Sequence, residues 1–500
     1  MNKLLYIFIC VILVVEVSAQ SITDALRYSQ NSLQGTARAT SMGNAFGSLG
    51  GDFTSASINP AGIGVYRSSE FSFTSSFAEK NVAADYLGTS SKESINLFSI
   101  PSLSYVATLN TSSSNKSSLV STNFGIGFNR LNNFKLNRYA EGHNASSSML
   151  DSFTEIANEI GMDNLSKFSE FYEMAAWETY MLNYDENAGL FSHKIANGGY
   201  GQSQTKSFNQ RGYVNEYNFS LGLNFNHKVY AGFSLGVHDV YYKEETELVE
   251  YDSQNKFNTF DDYSFYEYLK TTGVGVNGKI GVIYKPVNTL RLGLALHTPT
   301  YYNFNDLYYT NMTSRTTDDN GTMNDFFYEP SEDGVYEYTL QTPWKAVISA
   351  AYVIGNIGLI SIDCDFIDYS TSKLRSKNGY EMKEENSTID QYLKPVVNLH
   401  MGGEIRMTDF FSLRAGMEYL PGPYKSTVND IVQMNGETKT YTYSGGVGWR
   451  ANSFYIDLAY KYYTCKHYLN IYPASSTNSP VPARFSDSFD NITLTLGFRL

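Results

Sequence analysis

The last ten residues decide how the chain is read: Ile492, Leu494, Leu496, Phe498 and Leu500 alternate with Asn491, Thr493, Thr495, Gly497 and Arg499. A period of two sends successive side chains to opposite faces of a strand, so one face meets an apolar medium and the other a polar one. The pattern recurs upstream. Leu290, Leu292, Leu294 and Leu296 alternate with Arg291, Gly293, Ala295 and His297. Tyr217, Phe219, Leu221, Leu223 and Phe225 alternate with Asn218, Ser220, Gly222, Asn224 and Asn226. Phe411, Leu413, Ala415, Met417 and Tyr419 alternate with Ser412, Arg414, Gly416 and Glu418. Carried along the chain, the pattern predicts about fourteen strands, near 68–80, 94–110, 118–131, 210–227, 231–246, 269–286, 290–302, 334–353, 358–372, 393–408, 411–422, 439–452, 454–468 and 487–500.

A soluble sandwich alternates too, so connection lengths carry the decision. Short connections fall at Thr111–Ser117, Lys228–Tyr230, Pro286–Thr289, Gly355–Ile357, Thr408–Phe410 and Asn452–Ser453. Long ones fall at 81–93, 132–209, 247–268, 303–333, 373–392, 423–438 and 469–486. An even strand number, tight turns at one rim and long loops at the other predict an all-β fold, a transmembrane antiparallel β-barrel of the outer-membrane kind. Closure also leaves no strand edge unpaired in lipid. Composition agrees: the 500 residues include 41 Tyr and 31 Phe but only 17% charged residues. Tyr241-Tyr242, Tyr301-Tyr302 and Tyr462-Tyr463 stand at strand ends, where an aromatic girdle meets headgroups. A formal charge of −13 argues against a nucleic-acid partner. Leu4 to Val15 behind Lys3, with Val17-Ser18-Ala19 before Gln20, predicts a signal peptide over 1–19 and export. Cys364 and Cys465, bridged or free, make neither a disulfide framework nor a zinc site.

Two segments break the alternation. Residues 20–66 are too short for a core of their own, so they are expected to pack as a hatch that plugs the lumen of a barrel formed by 67–500. Within about 145–190, Leu150, Phe153, Ile156, Ala157 and Ile160 recur at helical spacing, and after Gly161 so do Leu165, Phe168, Phe171, Tyr172, Ala175 and Ala176. Two amphipathic helices in the longest outer loop would present an apolar face above the barrel mouth. On that reading Phe153, Ile156, Phe168, Phe171 and Tyr172 form a candidate outer hydrophobic ligand site; on the other, the face packs on neighbouring loops.

The stretch Gly35-Thr36-Ala37-Arg38 to Gly43-Asn44-Ala45-Phe46, then Gly50-Gly51-Asp52 and Ser57-Ile58-Asn59-Pro60-Ala61-Gly62, resembles the hatch of the FadL/TodX long-chain fatty-acid and hydrocarbon transporters. The likeness is nearest to their Bacteroidota-type branch, often labelled hemin receptors. Leu294-Ala295-Leu296-His297-Thr298-Pro299-Thr300, Thr342-Pro343-Trp344-Lys345 and Asp365-Phe366-Ile367-Asp368-Tyr369-Ser370 extend it. The resemblance implies a fourteen-stranded barrel in the outer membrane, with Asn59, Pro60, Ala61 and Gly62 as the hatch motif. It also implies ligand capture by the outer loops and a lateral path opened by an inward kink in the third strand. Gly125 and Gly127 would permit that kink, although glycine is also common on lumen faces that a plug approaches.

The function so implied is passive uptake of hydrophobic small molecules such as long-chain fatty acids or hydrocarbons, by a monomer whose partners are outer-membrane lipid and the barrel-assembly machinery. A scaffold or assembly barrel for secreted or surface proteins is the alternative. Lumen-facing Arg291, His297, Lys345 and Arg414 are candidate polar contacts; a salt-bridged network holding the plug accounts for most such charges, with one or two basic groups able to fix a carboxylate. No Ser/His pairing, metal-spaced His cluster or phosphate-cradling glycine loop stands out, so no catalytic residue, metal or cofactor is expected.

Overall fold

The computed structural model describes residues 15–111, 118–318, 320–425, 435 and 438–500. Fourteen antiparallel strands close on themselves. They are β1 (Glu70–Tyr86), β2 (Thr89–Asn110), β3 (Leu119–Asn133, continued by Leu136–Gly142), β4 (Ser203–Phe225), β5 (Val229–Tyr251) and β6 (Asp262–Val287). Next come β7 (Leu290–His297, continued by Tyr301–Thr317), β8 (Gly334–Gln341, continued by Lys345–Ile354), β9 (Gly358–Asp368) and β10 (Pro395–Arg406). The last four are β11 (Phe411–Pro421), β12 (Lys439–Arg450), β13 (Phe454–Leu469) and β14 (Ala483–Arg499). Each pairs with its neighbour, and β1 pairs with β14 from Glu70↔Arg499 to Asp85↔Arg484, which removes the last edge. The interruptions in β7 and β8 fall at Pro299 and Pro343, which have no N–H to give a ladder. Leu292, Leu294 and Leu296 point outward and are exposed, while Ala295 and His297 are buried inside. Cys364 and Cys465 are free.

Several strands outrun the roughly 9–11 residues that cross a bilayer, and here the sequence reading is corrected. The expected long connection 81–93 is strand: β1 and β2 continue to a two-residue turn at Leu87-Gly88, both with positive φ, 44° and 83°. Parts of 132–209, 247–268 and 303–333 are strand as well. Beyond the bilayer the inward side chains Val82, Ala84, Tyr86, Phe265 and Met312 pack on a cap of loop. The outward ones meet water, so the lipid signature fades before the strand ends. The expected turn at Thr111–Ser117 and the loop 423–438 fall largely outside the described residues, as does most of the signal-peptide stretch.

The N-terminal segment lies inside. A helix, Val15–Ser29, occupies the upper lumen, on the side of the long loops, with Ala25, Leu26 and Tyr28 buried against the wall. Below it the chain crosses the barrel. The short helix Ala37–Ser41 abuts β11–β14, and the 3₁₀ turn Pro60–Val65 abuts β3–β6.

Candidate functional site

Across the lower lumen, plug and wall meet through polar groups. Asn59 precedes the turn that Pro60 starts. Its Oδ1 accepts from Ala61 N–H at 3.1 Å, and its Nδ2 donates to Gly47 O at 2.6 Å and to Val282 O of β6 at 3.3 Å. Pro60, Ala61 and Gly62 are fully enclosed. Ser57 Oγ donates to Glu216 at 2.5 Å, and Glu216 also holds Lys279 and lies 3.0 Å from His238 Nε2. On the opposite wall Arg38 of the plug reaches Glu404 at 3.2 Å, and Arg414 bridges Glu404 at 2.7 Å and Asp457 at 2.6 Å.

This geometry places the four expected polar contacts. Arg291 Nη1 donates to Leu49 O of the plug at 2.9 Å, and His297 Nε2 lies 2.8 Å from Ile58 O. Lys345, opposite His297 in the ladder, pairs with Asp365 at 2.5 Å. Arg414 sits across the lumen in the Arg38 network. All four are engaged by the protein itself.

The plug also rests on glycines that the sequence reading missed. A Cβ at Gly222, Gly232, Gly281, Gly293, Gly402 or Gly416 would overlap Gly64, Pro60, Asn59, Gly47 or Met42 and Gly43 of the plug. The signal was in the pattern, because Gly222, Gly293 and Gly416 occupy the lumen phase of strands whose alternation is plain.

The upper lumen is different in kind. Val214, Val240, Tyr242, Tyr302, Phe304 and Tyr338 project inward from β4, β5, β7 and β8 and bury against the N-terminal helix. Tyr28 lies tilted against Phe304 with ring centroids 4.4 Å apart. A polar porin has a polar interior; here aromatic and aliphatic side chains predominate, with Asp306, Thr271 and the Asp24–Arg27 pair set among them and Arg27 lying 4.1 Å over the Tyr242 ring.

Above it, the outer loop closes the mouth. The helix Met149–Ile160 begins at a capping box in which Leu150 N–H donates to Ser148 Oγ and Ser148 N–H to Asp151. Tyr200 also donates to Asp151, at 2.5 Å, and His193 Nε2 lies 2.8 Å away. Burial raises the Asp151 pKa, but the bonds from His193, Tyr200 and the Ser148 N–H outweigh it and hold the carboxyl below its usual range.

The apolar face of this helix turns down. Phe153 is 2% exposed, with its ring 5.5 Å from Phe265 of β6. Tyr172 packs beside both, Ile156 is half-buried, and Phe171 lies 4.7 Å from Tyr308. The side chain of Phe168 lies outside the described residues. The expected apolar face above the mouth is therefore the core of a lid, because wall strands rise on either side to meet it. The expected second helix over 165–176 is also corrected, into Leu165–Phe168 and Glu173–Glu178. Ser169 leaves the helix, and its hydroxyl accepts from Glu173 N–H to start the next one.

Gly125 and Gly127 carry no break: β3 pairs continuously through both, to β2 and to β4. Irregularities lie elsewhere: in β3 between Leu119 and Ser121 and between Arg130 and Asn132, and in β2 at Pro101. Pairing of β2 with β3 ends at Ser102↔Asn129, and pairing with β1 shifts between Thr74 and Ser76. A proline has no donor for either ladder. Outward of Pro101, the continuation of β3 at Leu136–Gly142 has a backbone ladder with β4 alone and meets β2 through side chains, as where Ser91 Oγ donates to Tyr139 O.

The family described as "Outer membrane protein transport protein (OMPP1/FadL/TodX)" has a model that matches residues 196–480. A search of curated proteins finds no match. Among solved structures, a Pseudomonas aeruginosa FadL homologue is similar at 13% identity and a TM-score of 0.56, covering 93% of this chain and 98% of its own. The Pseudomonas putida toluene transporter TodX gives 13% and 0.51, covering 94% and 100%. The Ralstonia pickettii toluene transporter TbuX gives 13% and 0.52, covering 94% and 99%. At such identity the structural likeness bears on the fold.

Proposed function

Because this chain belongs to the OMPP1/FadL/TodX family of outer-membrane transport proteins, we propose that it carries hydrophobic small molecules, such as long-chain fatty acids or hydrocarbons, passively across the outer membrane. One observation carries the reading: above the plug, aromatic and aliphatic side chains from four wall strands gather into a single buried cluster around the N-terminal helix, with few polar groups (Thr271, Asp306 and the Asp24–Arg27 pair) among them. Two of the structures it resembles are toluene transporters, which favours the same cargo class. A hydrophobe entering this chamber gains roughly 25 cal/mol for each Å² of apolar surface removed from water. Entry requires the lid formed around Met149–Ile160 to part and the N-terminal helix to yield its place. Residues 20–66 act as the hatch, with Asn59-Pro60-Ala61-Gly62 fixing its lower turn. A lateral exit would fall where the ladders of β2 and β3 are irregular, beside Pro101 and Arg130.

The test is uptake by protein-loaded vesicles of a labelled long-chain fatty acid, of toluene and of glucose. Faster uptake of either hydrophobe than in protein-free vesicles, with glucose excluded, is the expected result. Glucose passing as readily would make the barrel a polar porin. A barrel that admits neither hydrophobe would favour the scaffold role.

A further inference from the structure

Charged side chains are unevenly spread over the outward face of the wall. On β6, Val274, Val276, Ile280, Val282 and Tyr284 are exposed and apolar. That stretch matches the roughly 9–11 residues with which a strand crosses a bilayer. Beyond it, toward the long loops, the next outward residues are Thr272 and Lys270. On the two preceding strands Tyr213 and Tyr241 face each other in the ladder, ring centroids 6.1 Å apart, and Arg211 and Lys243 follow them outward. The register therefore sets three cations side by side across β4, β5 and β6: Arg211 opposite Lys243, and Lys243 opposite Lys270. Like charges directly opposite in a ladder are destabilising.

The chain itself compensates this row only in part. The Arg211 side chain is 56% exposed and lies 3.6 Å from Glu245. Lys243 shares that carboxylate at 2.9 Å and lies 4.5 Å over the Tyr268 ring, which is stacked on Tyr309. Its ammonium is thereby held in place. Lys270 makes no ion pair among the described residues. Deeper in the wall, Arg130 of β3 lies 5.4 Å over the Tyr213 ring, and Asp239 stands one row below Tyr241. Four cations thus share Glu245 and Asp239, a positive surplus in a chain of net charge −13. The same level at the β1–β14 closure has the opposite sign. There the first charged outward residues beyond Phe77 and Ile492 are Glu79 and Asp490, which oppose each other in the ladder. The basic character is therefore not shared by the whole rim.

Position selects the partner. The row points away from the lumen, at the level where acyl chains give way to headgroups, on the long-loop side that faces out of the cell in outer-membrane barrels. With strands about 4.8 Å apart, its cations spread over roughly 10 Å. That is wider than one phosphate, and suits a broad sugar-phosphate head better than the small head of a glycerophospholipid. Arg211 can offer a phosphate a two-pronged contact, and Lys243 and Lys270 point charges. We propose that Arg211, Lys243 and Lys270 form a binding site for the phosphorylated sugar head of an outer-leaflet glycolipid, whose acyl chains lie along the apolar band below. The bound phosphate places negative charge between cations that otherwise repel one another. The inference depends on the barrel's place in the outer membrane and not on its cargo.

The experiment gives the full chain in detergent, at low salt, either monophosphoryl lipid A or the same lipid stripped of its phosphate, and reads bound lipid by native mass spectrometry. The wild type should hold the phosphorylated lipid roughly tenfold more tightly, as two or more charge-assisted contacts facing water allow. R211Q/K243Q/K270Q should lose that preference while still migrating on gels as a folded barrel. K270Q alone breaks no ion pair within the chain and should weaken binding about two- to threefold, so the test survives a triple variant that fails to fold. K92Q/R484Q, which removes cations near the β1–β14 closure, should leave binding unchanged. High salt should shrink the wild-type preference. Equal binding of the two lipids to the wild type, or a preference that outlasts the triple substitution, would overturn the proposal. So would an equal loss in K92Q/R484Q, which would make the attraction a general effect of charge. Inorganic phosphate competing at the lipid's own concentration would reduce the site to one for any anion, and phosphatidylglycerol held as tightly would refute the sugar-phosphate assignment.

Discussion

Around Ser57, Asn59 and Arg38 the plug meets the wall through hydrogen bonds and ion pairs. Around Phe153, Tyr172 and Phe265 the lid meets it through ring edges and aliphatic contact. Both close the same barrel, yet they resist different forces. Directional bonds hold a single position and cost most when one partner is removed, because the other is left buried and unsatisfied. Apolar contact is non-directional, and the share of the lid's closure that rests on it can yield to a ligand that supplies apolar surface in exchange. Bonds from Met149 N–H to Glu250, Thr310 Oγ1 to Phe171 O and Ser314 Oγ to Thr179 O also tie the lid to the wall. The pairing suits a channel whose bottom must stay shut to ions while its top yields to a hydrophobe.

The largest effect tests whether the plug is the ion barrier. Deleting residues 20–60 should turn a nearly silent barrel into one with a large, steady conductance in planar bilayers, with the strands still assembled. Gly416→Leu should give a smaller rise, since its side chain takes the place of Met42 and Gly43. Unchanged conductance in both would put the barrier in the lid.

Phe153→Ala addresses the lid. It should cost about 3–5 kcal/mol of local stability, the usual range for a buried ring, and speed hydrogen exchange over 149–197. Exchange in β10–β13 should not change; a matching rise there would mean that lid and wall open as one unit.

Asn59→Ala sharpens the polar side of the comparison. It strips the partner from Gly47 O and Ala61 N–H and should cost about 1–3 kcal/mol. The expected signature is brief channel openings with lid exchange unaltered.

The smallest effect is on pH. The folded-state pKa of Asp151 is depressed, so its contribution is present above the unfolded value of about 3.9 and is lost as pH falls through the folded value. Lid exchange should therefore quicken below about pH 4. Asp151→Asn should loosen the lid at neutral pH and flatten that acid response. A variant with the wild-type acid response would remove Asp151 from the account.

The wall was legible because lipid imposes a medium of uniform character on one face of every strand. Leu290 to Leu296 and Ile492 to Phe498 needed no partner to be known before their faces could be assigned. The polar phase was legible only as polarity. That Arg414 would bridge Glu404 and Asp457, or that Gly416 would admit Met42, depends on residues hundreds of positions away. The outer strand extensions were read as loops for the same reason: Val82 and Tyr86 face a lid whose course the local pattern does not describe. The helix over 149–160 carried both its amphipathic spacing and its cap, Ser148 with Asp151 three residues on. The break at Ser169 depended on a hydroxyl choosing one backbone N–H over continued helix.

By itself, then, the sequence determined what each strand faces, how many strands there are, and that a small-residue segment precedes them, since burial in lipid and strand periodicity act locally. Tertiary structure alone decided which charges are already engaged, which way the apolar loop helix turns, and that the ladders run unbroken through Gly125 and Gly127 while shifting register beside Pro101 and Arg130. Those outcomes depend on partners brought together by closure of the barrel.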